Sequence, residues 1–171
     1  MIVVGQIEAF VKHNFNAMYE GGTIYVSNEQ KNEKDMLDDI IHEFAHSVEE
    51  PYGYDIYGDS KIKQEFLEKR QVLHDILWKS GFKAPKSLFN EIDFNPKFDD
   101  FLYKQVGYDK LSRLSVGVFI SSYAPTSLRE YFATGFAEFF MYPDQQTYLQ
   151  KICPQLYKKI YELYTEEELD A

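Results

Sequence analysis

Residues 40–50 read "IIHEFAHSVEE". His42 and His46 stand four apart with Glu43 between them. On an α-helix that spacing puts both imidazoles on one face, one turn apart, where a single metal ion can touch both. Glu43 follows the first histidine directly, points to the same groove, and is placed to act as a base on water. The flanks support a helix. In "NEKDMLDDIIHEFAHSVEEP" (32–51), Asn32 is a fitting N-cap, acids crowd the first turn, and Pro51 is expected to stop the run. Leu37, Ile40, Ile41, Phe44 and Val48 form the expected apolar stripe, with His42, Glu43 and His46 beside it. The blander reading is an amphipathic helix with two part-buried histidines, because so short a pattern arises by chance in many proteins.

Working outward, "GGTIYVSN" (21–28) reads as a turn and then a short strand. A strand lying along a metal-bearing helix is what an extended peptide needs for edge pairing, so 23–27 is expected to edge a cleft. "PYGYDIYGD" (51–59) reads as a Tyr- and Gly-rich loop that follows the metal helix. A second helix is expected over 60–81, with Ser60 as its cap, Gly81 as its stop, and Ile62, Phe66, Leu73 and Leu77 packed inward. Residues 82–98 look irregular, and 98–119 suggest short helices. "TSLREYFATGFAEFFMYP" (126–143) is a third strong helix, despite Gly135. Two further helical pieces cover 144–152 and 154–164, the second with Pro154 in its first turn. The acidic end "TEEELDA" reads as a fraying helix end. The pattern is α+β, mostly helical with a small N-terminal sheet.

At 171 residues the chain suits one domain, 1–171. Hydrophobic residues make up 44% and aromatics 17%, which excludes a disordered chain. A formal net charge of −10 argues against general nucleic-acid binding and against docking on anionic membranes. No apolar run reaches transmembrane length, and "MIVVGQIEAF" lacks the basic start of a signal peptide. Cys153 is the only cysteine, so no internal disulfide forms. Together these features favour a cytoplasmic setting.

Two histidines need a third protein ligand to make a catalytic zinc site. The long metzincin motif is excluded, because Glu49 stands where it has glycine and Tyr52 where it has histidine. A class with an upstream cysteine ligand fails too, since Cys153 lies far downstream. Glu65 is one candidate: eighteen residues separate it from His46, a spacing that resembles a large gluzincin aminopeptidase class. It sits among charged residues, without that class's flanking tryptophan and glycine, and reads first as an exposed acid pairing with Lys61 or Lys69. Glu130 is the other. It shares a face with Ala133, Thr134 and Ala137, small side chains that let one helix approach another. Tyr131, Phe132, Phe136, Phe139 and Phe140 read as core. Ser127-x-x-Glu130 also matches a capping box, so Glu130 alternatively caps its own helix. Glu138, two turns on, reads as a plain surface acid or a partner for a ligand histidine. His74 and His13 read as surface histidines.

"HEFAH" followed by "SSYAPTSLREYFATGFAEFF" resembles the catalytic domain of anthrax lethal factor and the related Pro-Pro endopeptidases. That family pairs HExxH with a glutamate opening an "E-[FY]-F-A-x-x-F" helix and a tyrosine seven residues before it. Here the positions are Glu130 and Tyr123. The resemblance implies a zincin-like fold and one zinc ion held by His42, His46 and Glu130. It implies Glu43 as base and Tyr123 as the phenol that stabilises the oxyanion or protonates the leaving amine. The implied activity is endopeptidase cleavage of a peptide or protein substrate. Residues 51–118 then form a helical insertion between the HExxH helix and the third-ligand helix, and Thr134 stands where family members often have a second glutamate. The alternatives are a catalytically silent zincin-fold binding module and a gluzincin aminopeptidase using Glu65.

Overall fold

Gly21 and Gly22 both sit at positive φ, 55° and 78°. A two-residue hairpin turn requires that pair of conformations, and a residue with a Cβ resists them. The turn joins β2 (Ala17–Glu20) to β3 (Thr23–Val26) as an antiparallel pair. β1 (Ile2–Val4) runs parallel along the other side of β3, giving the order β1-β3-β2. β3 is therefore the central strand, and the expected open edge at 23–27 is overturned. Both hydrogen-bonding sides of β3 are already paired, so an added peptide has no free ladder there. Its alternation buries Ile24 and Val26, as a strand inside a sheet does.

This computed structural model describes the backbone of residues 1–13 and 15–170, and the side chains of 1–12 and 15–165. The side chain of His13 and the acids after Thr165 lie outside the described residues. The chain divides into two units, Met1–Tyr54 and Asp55–Ala171.

In the first unit, α1 (Glu8–His13) brings Phe10 against Phe15 with ring centroids 5.9 Å apart. α2 spans Glu33–Tyr57. Its cap is the expected one: Asn32 Oδ1 accepts from the Asp35 amide at 2.9 Å. Its end is not, because Pro51 lies inside the helix. Proline there costs about 3 kcal/mol, by removing one N–H donor and crowding the carbonyl one turn back. The turns beyond it offset that cost. Ile56 is fully buried, and the Tyr57 ring meets Phe132 at 6.1 Å within the second unit. Burying such side chains stabilises by roughly 1.5–3 kcal/mol each. The loop expected at 51–59 is thus helical through Tyr57. The apolar stripe also shifts. Leu37 and Phe44 are about half exposed, at 48% and 50%, whereas Ala45, His46 and Glu49 are buried. His46 lies on the inward face rather than beside it.

In the second unit, α3 (Lys61–Lys79) buries Ile62, Phe66, Leu73 and Leu77 completely, as expected. Ser60 precedes it but does not cap it by its side chain. Asp59 Oδ1 instead accepts from the Lys61 amide at 3.0 Å. α4 (Pro96–Asp100), a π-helical turn (Phe101–Val106) and α5 (Tyr108–Leu114) make up the expected short pieces, and a 3-10 turn (Lys86–Phe89) falls in the stretch expected to be irregular. α6 (Leu128–Met141), α7 (Gln146–Ile152) and α8 (Pro154–Asp170) complete the chain. α3, α6 and α8 pack on one another. Between them the Tyr131 ring meets Phe66 at 5.4 Å and Phe119 at 5.8 Å, pairs worth about 1 kcal/mol each beyond the area they bury. Gly135 has a packing reason: a Cβ there would fall 2.3 Å from Leu156 Cδ2 on α8. No helix among the described residues is long and apolar enough to cross a membrane.

Candidate metal centre

α2 carries His42 and His46 one turn apart, with ring centroids 5.1 Å apart and planes at 81°. His46 is buried, and its Nδ1 lies 2.8 Å from Oε2 of Glu49, itself buried. A carboxylate in that place accepts an N–H, so the proton sits on Nδ1 and Nε2 carries the lone pair. Sequence reading gives Glu49 no role beyond breaking the metzincin pattern. The available signal is the His46-x-x-Glu49 spacing, which puts the pair on one helical face.

Glu43 is part-buried on the same helix. One turn earlier stand Asp38 and Asp39, whose carboxyls are raised first of all by burial and, against that, lowered by the charge of His42. Asp39 also accepts from Gln30 Nε2 at 2.8 Å.

In the second unit, Glu130 is in the first turn of α6, and its amide donates to Ser127 Oγ at 3.2 Å. The Ser127 half of the expected capping box exists, and it engages the amide of Glu130, a different group from the carboxylate. Tyr123 lies in the turn just before. Ser121 Oγ accepts from the amides of Tyr123 and Ala124 at 3.3 and 3.1 Å, and the Thr126 amide donates to the Tyr123 carbonyl at 2.9 Å. The Tyr123 ring is 40% exposed and meets Tyr108 edge to face at 6.4 Å. Tyr108 donates weakly to Asp99 Oδ1 at 3.5 Å. Burial, then the Asp99 charge, pushes its phenol up to about 12, and Glu130 acts the same way from further off. No motif marks Tyr108 or Asp99 in the sequence. Glu138 is part-buried on α6.

Two expectations are corrected. Glu65 is not an exposed acid paired with Lys61 or Lys69: it is 8% exposed. Its oxygens accept from Tyr131 Oη at 2.7 Å and from the Gln155 and Leu156 amides at 2.8 and 3.2 Å. Those amides are orphan donors at the start of α8, so Glu65 caps that helix from α3. His74 is not a surface histidine. Its ring packs against Trp78 at 5.5 Å and Phe89 at 5.0 Å, and its Nδ1 meets Asp75 at 3.1 Å. No family model, curated protein or solved structure matches the chain.

Proposed function

We propose that this chain is a zincin-like, zinc-dependent endopeptidase in which His42, His46 and Glu130 hold one zinc ion. The observation that carries the reading is the donor set. α2 sets two imidazoles one turn apart, and Glu130 stands in the first turn of α6 behind its Ser127 cap. Two imidazole nitrogens and one carboxylate oxygen suit zinc, and three protein ligands are the number a catalytic site uses. The Glu49 carboxylate behind His46 is the outer partner that such a ligand takes.

When bound, the ion supplies Lewis acidity, which lowers the pKa of a neighbouring water and polarises a carbonyl oxygen. Glu43 takes the proton of the attacking water and returns it to the departing amine. The Tyr123 phenol donates a hydrogen bond to the oxyanion as the carbonyl carbon becomes tetrahedral. Tyr108 packs edge to face with that ring. Glu49 keeps His46 in the ligating tautomer.

The test is elemental analysis of wild type, Glu43→Gln and Glu130→Ala prepared in parallel, followed by digestion of a diverse peptide library. Wild type and Glu43→Gln are expected to carry one zinc per chain, and Glu130→Ala to lose it. Cleavage should fall roughly a thousandfold in Glu43→Gln, the scale of a lost general base. A wild-type protein that takes up no zinc on reconstitution sinks the reading.

A further inference from the structure

α3 carries charged side chains on its inward face. Glu65 and Arg70 are 8% and 1% exposed, and Lys69 is part-buried. All three bond into one stretch of chain, residues 118–131, which carries Tyr123 and Glu130. Lys69 Nζ donates to the Val118 carbonyl at 2.9 Å and also to the Ile152 carbonyl. Arg70 Nη2 donates to the Thr126 carbonyl at 2.9 Å, and its Nη1 to the Leu88 carbonyl at 2.8 Å. Glu65 Oε1 accepts from Tyr131 Oη at 2.7 Å. The attachment points fall before Tyr123, between Tyr123 and Glu130, and directly after Glu130.

We propose that α3 is a positioning element: Glu65, Lys69 and Arg70 hold the 118–131 segment in the register that sets Tyr123 and Glu130. What is positioned rests on the metallopeptidase reading; the holding itself does not.

Burying charge is costly, and well-packed apolar residues of similar size often stabilise a core as well or better. Geometry gives the charges a different use here. The segment between α5 and α6 lacks a helix or strand to engage the carbonyls of Val118 and Thr126, and a buried carbonyl needs a donor. Long cationic side chains reach them where apolar ones would leave them unpaired. The Arg70 guanidinium is held in plane by the Phe98 and Phe66 rings, 4.0 and 4.9 Å from its carbon. Burial lowers its pKa to about 9, which still leaves a cation at neutral pH. The stretch between the HExxH helix and α6 thereby acquires a purpose: it carries the frame for the second half of the site.

The test uses Lys69→Met, Arg70→Lys and Tyr131→Phe, with Leu77→Ala as a destabilised control on the same helix. Tyr131→Phe removes one hydroxyl and keeps the ring, so it guards against a variant that fails to fold. Two quantities are read: amide hydrogen exchange over 118–131 in the zinc-free protein, and zinc Kd by chelator competition. Each tether variant is expected to speed exchange over the segment by about tenfold or more. Zinc Kd should rise about tenfold to a hundredfold, as it does for lost outer-shell partners. Leu77→Ala should do neither beyond its global stability loss. Tether variants that behave like Leu77→Ala overturn the proposal. So does faster exchange with unchanged Kd in a protein that binds zinc. If wild type binds no zinc, the metallopeptidase reading falls and exchange alone decides the holding.

Discussion

His46 and Glu49 illustrate how one side chain prepares another. The Glu49 carboxylate, 2.8 Å from Nδ1, leaves the far nitrogen of His46 as a lone-pair donor. Glu49→Ala is expected to weaken zinc binding by about tenfold to a hundredfold while far-UV circular dichroism stays unchanged. A Kd within a factor of two or so of wild type would take Glu49 out of the site. Cys153 is a different case. Burial pushes its thiol from the ordinary 9 up to about 11. The folded protein therefore holds that proton more tightly than the unfolded chain does. The stabilisation is full below about pH 9 and is lost as pH rises through about 11. Relative to Cys153→Ala, wild type should lose on the order of 2 kcal/mol between pH 8 and pH 12, read from urea midpoints. The folded thiol should also resist a thiol reagent at pH 8, and fast labelling of native protein would contradict its burial.

Helices show which local signals prevail. The caps at Asn32 and Ser127 act as the sequence suggests, because a cap is decided within four residues. The Pro51 stop fails, because a local penalty of about 3 kcal/mol meets burial of Ile56 and the packing of the part-buried Tyr57 ring on Phe132 beyond it. Pro51→Ala restores an N–H and relieves the ring's clash, so it should stabilise the protein by about 1–3 kcal/mol in denaturant unfolding. No change in midpoint would mean that α2 is already distorted to accommodate the ring. Gly135 runs the other way. Alanine gains about 1 kcal/mol of helix propensity but drives a methyl into Leu156, where overpacking costs 1–3 kcal/mol. Gly135→Ala should lower stability by about 1 kcal/mol, and a stabilised variant would show that Leu156 can swing aside.

At the scale of the whole molecule, the second unit has an aromatic and aliphatic core of its own around α3, α6 and α8. A fold with such a core does not depend on a metal to form, unlike small zinc modules. On the zinc reading proposed above, treatment with a chelator is therefore expected to leave far-UV circular dichroism unchanged and to lower Tm only by as much as losing about 3–4 kcal/mol of mass-action stabilisation at saturating metal produces. Unfolding on chelation would assign zinc a structural role and remove the open coordination position that catalysis needs.

Legible in the sequence were the features whose causes are local: the HExxH spacing on a helical face, the Asn32 and Ser127 caps, the Gly-Gly turn, the inward row of α3 and the mostly helical α+β composition. Tertiary structure decided the rest. β3 became a central strand because "IVV" at 2–4 pairs with it from a distance, so the peptide edge expected at 23–27 does not exist. Glu65, Lys69 and Arg70 look like surface charges in a charged stretch, and only the approach of α6, α8 and the 118–126 loop turns them inward. Local preference is worth about a kilocalorie per residue, whereas burial and the satisfaction of buried polar groups are worth several, so long-range packing prevails wherever the two disagree.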